Sequence, residues 1–164
     1  MKTSHPLRTA LAALTLAGAL PAAIAAPAAC PFSPDQLAQA LGGRFAAGQE
    51  EPGIGGSSCK YASAGGGGSS VWVIVLKPGA DQDMMRTMTA GGPRVKFEPI
   101  PGDPDGAARV RGGADENLVD VSYKRAGHVV FLRSLPAGHE PDARKREARA
   151  AELAGRLLKL PRLP

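Results

Sequence analysis

The fold is decided by residues 118–134, which read LVDVSYKRAGHVVFLRS. Two apolar runs, 118–123 and 129–134, flank the turn Arg125-Ala126-Gly127-His128, an arrangement typical of an antiparallel hairpin. Apolar and polar side chains alternate along the first run: Val119, Val121 and Tyr123 against Asp120, Ser122 and Lys124. This alternation predicts that one face of the hairpin is covered and that the other is wetter.

The run Val71-Trp72-Val73-Ile74-Val75-Leu76 is the strongest further strand signal. Its apolar residues are continuous, as expected for a strand in the centre of a sheet with both faces covered, so we interpret Trp72 as a core residue. Shorter strands are predicted at residues 57–62, 95–99 and 107–110, the last after a tight turn at residues 102–106.

Three helices are predicted around these strands. The first begins after Ser33, which forms a capping box with Gln36, and it ends at Gly42-Gly43. The second covers residues 81–90. The third runs from about residue 142 to about residue 160, with an amphipathic apolar stripe. The order helix, strands, helix, strands, helix predicts a single-domain α+β fold, in which helices pack on one face of an antiparallel sheet.

The start of the chain has the features of an export signal. Lys2 and Arg8 form a positive region, residues 10–24 are small and apolar, and Ala23-Ile24-Ala25 suits signal peptidase. The apolar run is too short and too rich in alanine for a membrane span. We therefore expect a signal peptide at residues 1–26, one α+β domain at 27–164, and a periplasmic or secreted location.

Composition narrows the classes of partner. The 164 residues carry a formal charge of +5, which falls to +3 without Lys2 and Arg8, and only 4% of them are aromatic. Proteins that bind nucleic acids combine clustered positive charge with stacking rings, so we expect no nucleic-acid partner. The basic side of the last helix could meet anionic lipid or an acidic protein, but Glu147 and Glu152 interrupt it and a solvated face is the favoured interpretation.

The two cysteines, Cys30 and Cys59, have two interpretations. They could form a disulfide, which would stabilise the fold by about 3–4 kcal/mol in the chain-entropy account. Alternatively, Cys30 could carry a lipid anchor, since Ala28 and Ala29 suit a lipobox, although Pro27 stands where leucine is usual. Lipidation would leave Cys59 as an odd thiol in an oxidising compartment, which favours the disulfide.

Candidate metal ligands have simpler structural interpretations. Met84, Met85 and Met88 are soft ligands that suit Cu(I), but a helix face that packs on the sheet explains them as well. Asp103 and Asp105 are spaced as in the first half of a calcium loop. No ligand-rich continuation follows them, so a turn is the favoured interpretation. We predict no metal and no cofactor.

Candidate catalytic residues are equally sparse. A hydrolase could be imagined from Ser134, His139 and Asp142, but no nucleophile elbow surrounds the serine. His128 and His139 both lie in predicted turns, where surface positions are the ordinary expectation. The sequence therefore predicts no catalytic residue and a protein that is not an enzyme.

The layout of short motifs resembles a family of small exported bacterial domains of unknown function, often lipoproteins. Its motifs correspond to Cys30-Pro31-Phe32, Leu41-Gly42, Cys59-Lys60-Tyr61, a Gly-Asp-x-Ala turn at 102–107 and a Lys/Arg-x-Gly turn at 125–127. The turn at 102–107 is longer than the usual form. Members typically pair the two cysteines, so the resemblance implies a disulfide between Cys30 and Cys59. It implies no activity.

These observations predict a non-enzymatic binding or interaction module of the cell envelope, of the inhibitor, immunity or partner-binding kind. The expected contact surface is the sheet face without helices, with Asp120, Ser122 and Lys124 on it. A periplasmic carrier of a small ligand or metal is one alternative, and a small hydrolase is another.

Overall fold

The computed structural model describes residues 30–53, 55–65, 69–80, 94–112 and 115–163. Within these ranges the chain forms one antiparallel sheet of seven strands and two helices, a mixed α+β fold. The predicted signal peptide, the helix predicted at 81–90 and the three methionines in that range lie outside the described residues.

The helices are α1 (Pro34–Leu41) and α2 (Ala143–Leu157). The strands are β1 (Gln49–Glu51), β2 (Gly56–Ala62), β3 (Ser70–Leu76), β4 (Lys96–Pro99), β5 (Ala108–Arg111), β6 (Val119–Arg125) and β7 (His128–Leu135). Their order across the sheet is β1-β2-β3-β7-β6-β5-β4, so β3 lies among the inner strands as its apolar run predicts.

The predicted hairpin is confirmed, with a tighter turn. Arg125 and His128 pair with each other as strand residues, which leaves Ala126 and Gly127 as the two-residue loop. Both loop residues have positive φ, 48° and 82°. This backbone is that of a type I′ turn, whose twist matches the twist of the strands that it joins.

Helix α1 begins and ends where the sequence predicts. The hydroxyl of Ser33 accepts a hydrogen bond from the backbone N–H of Gln36 at 3.2 Å, and the side-chain oxygen of Gln36 accepts one from the N–H of Ser33 at 2.8 Å. Gly42 then ends the helix with φ 79°, and its N–H donates to the carbonyl of Ala38.

The main apolar cluster contains residues from the sheet and from both helices. Val73, Leu132 and Val121 are neighbours in register on what we call the first face of the sheet. They share a buried cluster with Leu37 of α1 and Leu157 of α2, which are both fully buried. The disulfide is confirmed: it joins Cys30, just before α1, to Cys59 in β2, with the two Cα atoms 5.0 Å apart.

Residues 160–163, which follow α2, complete the same cluster. Leu160 and Leu163 are 3% and 7% exposed. The backbone N–H of Leu163 donates to the hydroxyl of Tyr123 at 2.9 Å. The hydroxyl of Tyr61 accepts in the same way from the N–H of Phe32. The hydroxyl groups of two buried tyrosines thus form hydrogen bonds that hold the segments just before α1 and just after α2 against the core.

The second face of the sheet carries Trp72, and here one expectation is wrong. Val71, Val73 and Val75 are buried on the first face, whereas Trp72 is only partly buried. Its neighbours in register are Lys60 and Arg133, two long polar side chains rather than core residues. A smaller apolar cluster of Leu76, Val129 and Phe131 is buried further along this face.

Strand β1 was not expected from the sequence. It lies at an edge of the sheet and pairs Glu50 with Cys59. Its residues are polar and largely exposed, so they lack the apolar alternation by which strands are recognised.

Candidate functional site

The three predicted surface residues, Asp120, Ser122 and Lys124, all lie on the second face, because β6 alternates as expected. Asp120 and Ser122 are only 5% and 1% exposed, whereas Lys124 is exposed. A partner that approaches this face would therefore reach Lys124 directly and the other two only through their neighbours. Their role in binding stays a prediction.

Asp120 is held by Arg133 of the adjacent strand. Two parallel hydrogen bonds of 2.8 Å run from Nε and Nη2 of Arg133 to the two carboxylate oxygens of Asp120. These bonds raise the pKa of Arg133 above its ordinary value and outweigh the opposing effect of burial. Because both groups are largely removed from water, each depends on the other for compensation of its charge.

Asp120 and Arg133 belong to a row of side chains that crosses the second face. The row consists of Lys60, Trp72, Arg133 and Asp120 on strands β2, β3, β7 and β6, and we call it the Trp72 row. The ammonium of Lys60 lies 5.1 Å from the centroid of the Trp72 ring, within the range of a cation–π contact. The row combines a partly exposed aromatic ring with two cations. The row could not be predicted from the sequence because its members come from strands far apart in the chain.

A cleft of about 400 Å³ lies between the first half of α2 and strands β5 and β6. We call it the Glu147 cleft. Four arginines and four carboxylates contribute to its lining, together with apolar residues such as Leu118 and Val119. Its volume falls within the range of small-molecule sites, and its charges balance.

Two arginines of β5 converge on Glu147. Arg109 donates to Oε1 of Glu147 at 2.6 Å and to Glu98 at 3.0 Å, and Arg111 donates to the same Oε1 at 2.5 Å. Burial opposes ionisation of Glu147 and of Arg109. The hydrogen bonds between them outweigh it, so that the pKa of Glu147 is lowered and that of Arg109 is raised. The network ties α2 to the edge of the sheet across 36 to 38 residues of sequence.

In the turn at residues 102–106, whose sequence resembles the first half of a calcium loop, the carboxylate of Asp103 accepts hydrogen bonds from other groups of the same chain. Oδ1 of Asp103 accepts hydrogen bonds from the backbone N–H groups of Asp105 and Ala107, at 3.0 and 3.1 Å. Oδ2 of Asp103 accepts from Arg162, whose guanidinium also lies 4.5 Å from the centroid of the Tyr123 ring. In the described ranges no group of three or more His, Cys, Asp or Glu residues is placed to hold a metal ion.

Two residues of the imagined hydrolase, His139 and Asp142, are engaged elsewhere. His139 contacts Asn117 through Nδ1, and Asp142 caps α2 by accepting from the N–H of Lys145 at 2.8 Å. His128 contacts the carbonyl of Leu76 at 2.9 Å. Within the described part of the chain neither histidine is hydrogen-bonded to a serine or to a carboxylate, which is the arrangement that nucleophile activation requires.

None of the helices described is long and apolar enough to cross a membrane. No protein-family model, no curated protein and no solved structure matches this chain. The resemblance to small exported bacterial domains therefore rests on the short motifs quoted above. The support for each candidate site is its geometry in the structure.

Proposed function

We propose that this protein is an exported, non-enzymatic partner-binding module of the cell envelope. The disulfide between Cys30 and Cys59 supports this location, because such bonds persist in oxidising compartments. The signal-like residues 1–26 support it independently. In this proposal both described helices cover the first face of the sheet, and the part of the second face around Trp72 remains for a partner, whereas Leu76, Val129 and Phe131 on the same face are already buried.

The Trp72 row is the centre of the proposed contact surface, and the partial exposure of Trp72 on an inner strand carries the proposal. Tryptophan and arginine are the residue types most often found at the energetic centres of protein interfaces. Exposed Lys124 favours a partner that presents carboxylates, and so does Lys60, which lies beside the ring and forms an exposed ion pair of 3.9 Å with Glu51 that a partner could replace. The proposed ligand is thus an acidic surface of another envelope protein.

Two variants test this surface. Trp72→Ala removes the ring, and Lys60→Glu reverses a charge on a side chain that is 38% exposed, so this second variant leaves the core intact. The immobilised, disulfide-bonded protein would capture its partner from native envelope extracts, and the captured protein would be identified and purified for titration. We expect each variant to weaken the affinity at least tenfold.

Lys159→Ala is the matched control, because Lys159 is exposed and lies beyond α2 rather than on the second face. Its affinity should stay within about twofold of the unmodified chain. Equal binding by the unmodified chain, Trp72→Ala and Lys60→Glu would refute the proposed surface. Thermal unfolding of each variant would show that a loss of binding is not a loss of fold.

A second candidate function is a small-ligand carrier, and the Glu147 cleft of about 400 Å³ favours it. Its balanced charges suit a polar or zwitterionic molecule. Intact mass measurement under non-denaturing conditions, on protein recovered from its native envelope, would reveal a retained ligand. If the mass is that of the bare chain at every stage of a mild purification, the carrier hypothesis loses its support.

A further inference from the structure

A second cavity, of about 230 Å³, lies where the end of α1, the second half of α2 and the ends of several strands meet. We call it the Ser134 cavity. It is separate from the Trp72 row and shares none of the residues that line the Glu147 cleft. Neither the family resemblance nor the proposed function accounts for it.

The lining of this cavity is strongly unbalanced in charge. Arg44, Arg149 and Arg156 contribute to it, and Glu152 is its single acidic residue. Glu152 accepts a hydrogen bond from Arg156 at 2.6 Å, so the charge of that arginine is matched. The other two arginines leave two positive charges without a carboxylate among the described residues.

Those two arginines also keep donors available. Arg149 donates to the backbone carbonyl of Ala137 at 3.1 Å, a neutral partner. The guanidinium of Arg44 makes no hydrogen bond or ion pair within the described ranges and is exposed. A guanidinium offers several N–H donors in a planar fork that matches the oxygens of carboxylate or phosphate groups.

Three serine hydroxyls, from Ser63, Ser69 and Ser134, line the same cavity. Ser134 is only 4% exposed, so its hydroxyl group is largely shielded from bulk water. A hydroxyl group in this position can donate a hydrogen bond to a ligand oxygen that enters the cavity. Ser69 accepts from the N–H of Ala137 at 3.1 Å, which leaves its own O–H free to donate.

Donors therefore dominate this cavity, and its size limits what it can hold. We infer that the Ser134 cavity binds a small oxyanion, a phosphate or carboxylate group, with Arg44 and Arg149 as its cationic ligands and Ser134 as a hydroxyl donor. Phe45, Leu153 and Pro136 on the wall would contact a short apolar portion of the same molecule. The cavity is too small for a drug-sized ligand. It suits a free ion, a small organic acid or the head group of a lipid.

The test uses the mature, disulfide-bonded chain and calorimetric titration with inorganic phosphate and with acetate, against chloride at equal ionic strength. We expect binding of phosphate or acetate at one site per chain. Arg44→Gln with Arg149→Gln should weaken it at least tenfold, because two charge-assisted hydrogen bonds are lost. Ser134→Ala, which removes only the hydroxyl, should weaken it severalfold.

Arg144→Gln is the matched control, since Arg144 lies on α2, is exposed and is not part of the lining. It removes the same charge from the same helix, and binding should change by less than about twofold. The single variant Arg44→Gln guards against loss of the fold, because this side chain makes no contact that the described structure needs. It should weaken binding on its own.

Sedimentation with vesicles separates the two sources of the oxyanion. Binding to phosphatidylglycerol but not to phosphatidylcholine vesicles, lost in the Arg44→Gln, Arg149→Gln variant and retained in Arg144→Gln, would identify a lipid head group. Binding of free phosphate or acetate with no vesicle binding would identify a soluble anion. The inference is overturned if neither occurs, or if Arg144→Gln weakens binding as much as the cavity variants do.

Discussion

At the scale of single residues, charges in this protein are arranged in pairs that neutralise one another. Asp120 with Arg133, Glu147 with Arg109 and Arg111, and Asp103 with Arg162 each join elements distant in sequence. Arg44 and Arg149 have no carboxylate partner among the described residues, and, unlike other exposed cations without one, such as Arg144 and Lys159, they line the same cavity. Two guanidinium groups without a carboxylate partner, in the same cavity as a buried hydroxyl group, indicate more about a ligand than the net charge of the chain does.

Asp103 gives a prediction for the effect of pH on stability. Burial opposes its ionisation, but hydrogen bonds from the N–H groups of Ala107 and Asp105 and from Arg162 outweigh burial, and its pKa is lowered. Its ionised form therefore stabilises the fold at neutral pH, and this contribution is lost as the pH falls through the lowered folded-state pKa. We expect Asp103→Asn to reduce the free energy of unfolding by about 1–2 kcal/mol at pH 7.

Urea denaturation at a series of pH values would check this expectation. The difference between the unmodified chain and Asp103→Asn should shrink once the pH falls below about 4, the ordinary range of aspartate. Glu50→Gln is a suitable control, because Glu50 is exposed on β1 and should show a small difference at every pH. A difference for Asp103→Asn that stays constant down to pH 2 would contradict the assignment.

At the scale of elements, the sequence predicts those parts whose signals are local. The residues that begin and end helix α1 adjoin the helix in sequence. The β6–β7 hairpin likewise has its alternating apolar and polar residues and its turn in one continuous stretch. The pairing of Trp72 with Arg133 and the approach of Arg109 to Glu147 depend instead on how distant strands are ordered. No local pattern encodes that order, so neither the Trp72 row nor the two cavities could be predicted.

The β6–β7 turn offers a stabilising substitution. Ala126 has φ 48°, a left-handed conformation that an alanine side chain disfavours and that asparagine tolerates. Asn-Gly is the preferred pair in type I′ turns. We therefore expect Ala126→Asn to raise the free energy of unfolding by about 0.5–1 kcal/mol, measured as an upward shift of the urea midpoint.

Gly127→Ala provides the opposite change at the next position. Gly127 has φ 82°, where a Cβ atom is strained, so this variant should lower the midpoint by an amount that corresponds to about 1 kcal/mol. If both variants shifted the midpoint in the same direction, the turn would not have the type I′ backbone in solution.

At the scale of the whole molecule, one covalent bond joins the segment before α1 to the sheet. The disulfide joins Cys30 to Cys59, which are separated by 29 positions in the sequence. Cys30→Ser with Cys59→Ser should lower the free energy of unfolding by about 3–4 kcal/mol. Chemical denaturation would measure this, and the unmodified chain in excess reductant should match the double variant. Unchanged stability in both would show that Phe32 and α1 hold this segment without the bond.

Under the proposed export, the sequence positions of the disulfide and of the last core residues have a consequence for when the chain can fold. The cysteines lie near the beginning of the described chain, whereas the core residues Leu160 and Leu163 follow the last described strand in sequence. In a chain threaded through an export channel from its N-terminus, oxidation can precede burial. The hydrophobic core, however, cannot close until residue 163 has crossed. In the proposed export, the core would therefore stay incomplete while the chain crosses the membrane and would close only afterwards.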